Sequence, residues 1–213
     1  MAEHSPQIEI FCLGQWQTNC FVVHAGGGSC WLVDAGFSPG PMIAYVRSNN
    51  LIPKGVLLTH AHVDHIAGLR EVRAAWPSLP ILIHPAEVEF LSDPTQNLSL
   101  VLDEPIMEPG ATGTLEDGQT VVLDGCAFEL RHTPGHSPGG VTLYQQNGRV
   151  AIVGDTLFAG SIGRTDFPHS NHAHLIASIR KRLFALPDDT RILPGHGPET
   201  TIGRERRHNP FLL

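Results

Sequence analysis

Apolar residues along this chain recur in two periods. Ile8 to Phe11, Cys20-Phe21-Val22-Val23 and Cys30-Trp31-Leu32-Val33 are short aliphatic and β-branched runs that predict three successive strands. Ala25-Gly26-Gly27-Gly28-Ser29 is the turn between the last two, and Asp34-Ala35-Gly36 ends the third. Ser38-Pro39-Gly40-Pro41 then opens a helix carried by Met42, Ile43 and Val46. Gly55 to Thr59 reads as a buried strand, and from Ile66 to Trp76 the apolar spacing becomes helical. Pro80 to His84 returns to strand and Ala86 to Leu91 to helix. Residues 92–113 are rich in Pro, Asp and Gly with weak periodicity, which predicts a long irregular stretch, either a binding loop or a connecting segment.

Beyond Thr114 the period is that of strands: Val121 to Leu123, Phe128 to His132, Val141 to Tyr144 and Val150 to Val153. Glu116-Asp117-Gly118, Asp124-Gly125 and Asn147-Gly148 mark hairpin turns. Leu175, Ile176, Ile179 and Leu183 fall at helical spacing within 172–186 and predict a packing helix. Arg191-Ile192-Leu193 is a last strand, and Arg204, Arg206 and Arg207 belong to a C-terminal helix with a solvated charged face. Strands and helices alternate early and a second run of strands follows, which makes the class α/β, with two layers of sheet and helices outside.

The polar residues at the strand exits change the picture. Thr59-His60-Ala61-His62-Val63-Asp64-His65 places three imidazoles and a carboxylate on the turn from a buried strand into a helix, where open α/β sheets build their sites. Imidazole nitrogen and carboxylate oxygen are zinc-type ligands. Burying four such groups without a metal would leave polar atoms unsatisfied at roughly 1–3 kcal/mol each. Three later strand exits carry the same chemistry beside Gly or Pro: His136 in Pro134-Gly135-His136, Asp155 in Gly154-Asp155-Thr156 and His196 in Pro194-Gly195-His196-Gly197. Asp34 is expected to brace the His60 loop without ligating. His84 has no ligand partner in sequence and is read as structural. Arg164 is a candidate for a substrate carboxylate and equally for an ion pair with Asp166.

The length of 213 residues predicts a single domain, 1–213. A net charge of -7 argues against nucleic acid as a partner. Met1 to Pro6 shows no secretory pattern, and no apolar run reaches membrane-spanning length. Cys12, Cys20, Cys30 and Cys126 form no Cys-x-x-Cys pair and read as reduced thiols of a cytoplasmic protein.

Taken together, His60-x-His62-x-Asp64-His65, His136, Asp155 and His196 resemble the metallo-β-lactamase superfamily over nearly the whole chain. The resemblance implies an αββα four-layer sandwich of two mixed sheets with helices on the outer faces. It also implies two divalent metal ions per chain, zinc first, with iron or manganese as alternatives. By it, His60, His62 and His136 hold one metal, Asp64, His65 and His196 hold the other, and Asp155 bridges them, with Asp64 and Asp155 the catalytic carboxylates. Residues 154–168 and the segments Pro194 to Pro198 and Gly203 to Phe211 are similar to the short branch of glyoxalase II-like (hydroxyacylglutathione hydrolase-like) enzymes. Long members grip glutathione with a C-terminal helical region, whereas this chain stops soon after His196. The implied activity is hydrolysis of a thioester such as S-lactoylglutathione, a small glutathione conjugate, by a hydroxide shared between the metals. Gly163 to Phe167 also resembles the mononuclear iron persulfide dioxygenases, whose site would use His60, His136 and Asp155. A lactonase or other ester hydrolase is the remaining alternative.

Overall fold

The structure, a computed structural model, describes residues 5–213. The chain divides into two compact units. The first is formed by the described residues up to Leu115 together with Val122–Cys126, and the second by Glu116–Val121 and Ala127–Leu213.

In chain order the first unit holds β1 (Gln7–Leu13), β2 (Thr18–His24), β3 (Ser29–Val33), α1 (Gly40–Ser48), β4 (Ile52–Leu57), α2 (Val63–Ile66), α3 (Leu69–Ala75), β5 (Ile81–Ile83) and β6 (Gly113–Thr114). Its sheet runs β1-β2-β3-β4-β5-β6. The first three strands are antiparallel, and β3 to β6 are parallel. Every residue of β2 and β3 is buried, the polar Thr18, Asn19, His24 and Ser29 included. Val22, Leu32, Val56, Ile81 and Ile83 pack with Met42 and Val46 of α1 and with Ile66, Leu69 and Val72 of α2 and α3. Val33 pairs with Leu57, and Leu57 with Leu82. The exits of β3, β4 and β5 therefore share one edge of the sheet.

Two helical expectations are corrected here. The helix expected from Ile66 to Trp76 is broken, because Gly68 sits where a Cβ would fall 2.3 Å from the Gly36 carbonyl oxygen. The Gly68 N–H donates to the Ala35 carbonyl at 2.8 Å, so the chain bends to meet the β3 exit. Ala86 to Leu91 forms two short 3₁₀ turns, Pro85–Glu87 and Glu89–Ser92.

The irregular stretch is organised by one fully buried side chain. Asn97 Nδ2 donates to the Phe90 and Ile106 carbonyls at 2.9 Å and 3.0 Å, and its Oδ1 accepts from Ser99 N. Its backbone carbonyl accepts from Val63 N at 2.8 Å, at the start of α2. An amide that satisfies three backbone groups replaces the regular ladder this segment lacks.

The chain continues with β7 (Thr120–Leu123) and β8 (Cys126–His132), whose residues Val122, Leu123 and Cys126 count with the first unit. The second unit goes on through β9 (Val141–Gln145), β10 (Val150–Gly154), β11 (Leu157–Phe158), β12 (Ser161–Ile162), α4 (His172–Ser178), β13 (Arg191–Pro194), β14 (Thr200–Thr201) and α5 (Ile202–His208). Its main sheet is ordered β14-β13-β10-β9-β8-β7, and β11 and β12 form a separate small hairpin. β13 is parallel to β10, whereas β8, β9 and β10 are antiparallel neighbours. The predicted packing helix is α4, capped by Asn171 Oδ1 on His174 N, which runs on as a π-helical turn over Ile179–Leu183. Leu175, Ile179 and Leu183 pack on Tyr144, Ala151 and Val153. Arg204, Arg206 and Arg207 of α5 are all exposed, as the expected charged face requires. Arg206 and Arg207 both bind Asp188, and Arg206 also donates to the Phe184 and Leu186 carbonyls.

All four cysteines are free thiols, Cys12 exposed and the other three buried. Burial pushes the Cys30 thiol up to about 12 and the Cys20 thiol well above its ordinary value. Inert thiols of this kind are structural. No helix among the described residues is long and apolar enough to cross a membrane.

Candidate functional site

In the first unit the donor groups sit at the exit of β4. His60 and His62 are buried and their rings meet edge to face with centroids 4.7 Å apart. The His65 ring lies 4.0 Å from that of His60. His62 ends the extended segment as N-cap of α2, so Asp64 and His65 lie on the first turn and fold back on His60. Asp64 Oδ2 is 3.6 Å from His65 Nε2 and accepts the Thr18 hydroxyl at 2.8 Å.

The expected brace is present. Asp34 is fully buried at the exit of β3, with a left-handed φ of 59°. Its Oδ1 accepts from Thr59 N, and its Oδ2 accepts from the Thr59 hydroxyl and from His65 Nδ1, each at 2.7 Å. A carboxylate only accepts, so this contact puts the His65 proton on Nδ1 and the lone pair on Nε2.

In the second unit His136, Asp155 and His196 follow β8, β10 and β13. The Gly195 N–H donates to the Gly154 carbonyl at 2.8 Å, which sets the His196 exit beside the Asp155 exit. Asp155 Oδ2 lies 3.5 Å from His136 Nε2 and 3.6 Å from His196 Nε2. His136 Nδ1 meets the Arg164 carbonyl at 2.9 Å, and a carbonyl can only accept. The His136 lone pair is therefore on Nε2, facing the carboxylate. Glycine makes the approach possible, since a Cβ on Gly163 would lie 1.9 Å from the Asp155 carbonyl oxygen. The Ser170 hydroxyl donates to the His136 carbonyl at 2.6 Å and holds its loop.

The donor chemistry fits a metal ion in both units. In each, a carboxylate oxygen faces an imidazole lone pair across 3.5–3.6 Å, wider than a hydrogen bond. Two electron-pair donors held at that separation suit a cation between them. Each of the seven residues offers an imidazole nitrogen or carboxylate oxygen of the kind that could hold a metal ion.

The remaining candidates separate clearly. The Arg164 guanidinium forms two bonds to Asp166, at 2.8 Å and 2.6 Å, and stacks on Phe167 at 4.3 Å. The Arg164 bonds hold the Asp166 carboxyl down at about 2. His84 is the N-cap of the turn Pro85–Glu87, its Nδ1 accepting from Ala86 N at 3.2 Å. A His84→Ala variant is expected to lose about 1 kcal/mol of stability with its metal content unchanged. Elemental analysis beside a denaturant titration checks both, and loss of metal would make His84 more than a cap. The sequence reading passed over Glu87. It is fully buried, and its Oε2 accepts the Ala61 N–H at 2.6 Å, between His60 and His62. A carboxylate just past an apolar strand exit was the signal available for it.

The metallo-beta-lactamase superfamily pattern matches residues 13–196. The chain is 34% identical over 207 residues to the hydroxyacylglutathione hydrolase GloC of Haemophilus influenzae, covering 96% of this chain and 97% of that protein. Among solved structures it is similar to the BLEG-1 B3 metallo-beta-lactamase, at a TM-score of 0.91 and 39% identity over 97% of this chain and 99% of that one. It is also similar to TTHA1623 in a di-iron-bound form, at a TM-score of 0.85 and 38% identity over 96% and 100% of the two chains. Relatives of this kind indicate a metal-dependent hydrolase. With the family pattern spanning 13–196 and these likenesses running almost end to end, the chain belongs to the metallo-beta-lactamase superfamily.

Proposed function

We propose that this chain is a hydrolase of thioesters such as S-lactoylglutathione, working with two divalent metal ions. On the superfamily pattern His60, His62 and His136 hold one ion, Asp64, His65 and His196 the other, and Asp155 both. The observation that carries this reading is Asp155, one of whose oxygens stands 3.5–3.6 Å from two imidazole nitrogens at once. The likeness to GloC supports a glutathione conjugate as substrate. Imidazole and carboxylate donors without a thiolate suit zinc, iron or manganese, and the di-iron form of TTHA1623 supports iron beside zinc.

Metal ions held by these residues would supply a water of lowered pKa and Lewis-acid polarisation of a carbonyl. The protein residues fix the geometry for this. Asp34 and the Arg164 carbonyl hold His65 and His136 with Nε2 lone pairs outward. The Thr18 hydroxyl holds one oxygen of Asp64. A thiolate leaves readily as an anion, so the chain needs no dedicated acid. Arg164 would take a substrate carboxylate with the same two-bond geometry it now gives Asp166.

Protein purified without chelator is expected to carry two equivalents of metal and to cleave S-lactoylglutathione. Glutathione persulfide, assayed in parallel, is expected to cause no oxygen uptake. One metal equivalent with oxygen uptake and no thioester cleavage would sink the proposal and favour the persulfide dioxygenase. Lactone hydrolysis faster than thioester hydrolysis would move the assignment to the lactonase alternative.

A further inference from the structure

We infer that Glu87 is a positioning residue for the His60-Ala61-His62 segment, holding it pre-formed for metal through the Ala61 N–H. The inference rests on the metal reading of that segment. Its basis is the order of strands in the first unit. β4, which delivers the segment, lies between β3 and β5. Each neighbour delivers a buried carboxylate just past its own exit: Asp34 after β3 and Glu87 after β5.

The two carboxylates take the backbone N–H groups of the residues on either side of His60. Asp34 Oδ1 accepts from Thr59 N at 2.7 Å, and Glu87 Oε2 accepts from Ala61 N at 2.6 Å. The Glu87 bond holds the peptide that follows His60, and the Asp34 bond holds the peptide that precedes Thr59. Together they bracket Thr59 and His60 and limit the soft dihedrals that aim the His60 side chain. His62 follows one residue beyond the held Ala61 N–H. An extended loop at a strand exit has no ladder partner of its own, so these carboxylates supply what a further strand would.

Glu87 is itself held rigidly. It closes a 3₁₀ turn that His84 and Pro85 open, and its N–H donates to the His84 carbonyl at 3.0 Å. A charged acceptor on a backbone N–H makes a short, strong hydrogen bond, consistent with 2.6 Å here. Groups that orient ligands from behind change metal affinity by about 10–100-fold when removed.

The test compares full-length wild type with Glu87→Ala, Glu87→Gln and Glu87→Asp. The metal-free proteins are titrated with zinc against a chromogenic chelator, and Ala61 amide exchange is followed in the absence of metal. Glu87→Ala is expected to bind zinc 10–100-fold more weakly and to exchange the Ala61 amide faster. Glu87→Gln keeps an oxygen acceptor and is expected to restore most of the affinity. Glu87→Asp keeps the charge but falls short of Ala61, and is expected to resemble the alanine variant. Wild-type affinity in Glu87→Ala would overturn the inference. So would equal losses in the Gln and Ala variants, since these would put the effect in the charge rather than the bond. If Glu87→Ala does not fold, the Asp and Gln variants decide by the same criteria. If wild type takes up no zinc, the metal reading fails, and Ala61 exchange still decides whether Glu87 holds the loop.

Discussion

An Asp155→Ala variant is expected to bind no metal at either position and to lose activity by more than the roughly 10–100-fold that orienting residues cost. The expectation follows from the placing of one atom. Asp155 Oδ2 stands 3.5 Å from His136 Nε2 and 3.6 Å from His196 Nε2, so its removal takes a donor from the surroundings of both histidines. It would also remove negative charge from beside the two metal ions proposed for the site. The fold should survive, because the Asp155 backbone is held independently: the Gly154 carbonyl accepts from Gly195 N, and Gly163 packs on the Asp155 carbonyl. Elemental analysis after metal supplementation, with circular dichroism to verify folding, reads the result. One tightly bound equivalent remaining in the variant would disprove the bridging role.

The second large effect is expected at Asp34. Asp34→Ala removes the acceptor of the Thr59 N–H and of the His65 Nδ1–H in a fully buried position, while the Thr59 hydroxyl keeps His60 Nδ1 at 3.2 Å. At roughly 1–3 kcal/mol for each unsatisfied group, the loss is a large share of the stability of a domain, about 5–15 kcal/mol. Little folded protein should be recovered. Asp34→Asn is the more informative change because it keeps the shape. If the amide oxygen takes Thr59 N, the amide nitrogen faces His65 Nδ1 and donates to it. The His65 proton then moves to Nε2 and removes the lone pair a metal needs. A folded Asp34→Asn protein with metal affinity lowered at least tenfold is the expected outcome, read by competition with a chelator. Unchanged affinity would show that the Asp34 contact does not set the His65 tautomer.

Much of the donor set was legible because its signals are local. An imidazole or carboxylate beside Gly or Pro at the end of an apolar run needs no knowledge of the partner strand, and Asp34 could be assigned its supporting role on the same grounds. The missing parts depend on contacts distant in sequence. Gly68 breaks a helix because of the Gly36 backbone, which no helical period in 66–76 reports. Asn97 closes the 92–113 stretch through Phe90, Ser99 and Ile106, so the segment is ordered without periodicity. Glu87 was hidden in a run whose composition suits an amphipathic helix, where a glutamate reads as solvated. Arg206 and Arg207 lie exposed as expected, but their shared partner Asp188 is distant in sequence and could not be read from it.

The parallel pairing of β13 with β10 has a consequence for the order of assembly. β8, β9 and β10 are antiparallel neighbours joined by short connections, so these pairings close at small cost in chain entropy. β13 can join only after residues 155–190 have travelled out through β11, β12 and α4 and returned to align Arg191 with Val150. Pairings so separated in sequence form slowly. Within the second unit, His136 and Asp155 are therefore expected to reach their places on an early sheet, and His196 to complete the set last.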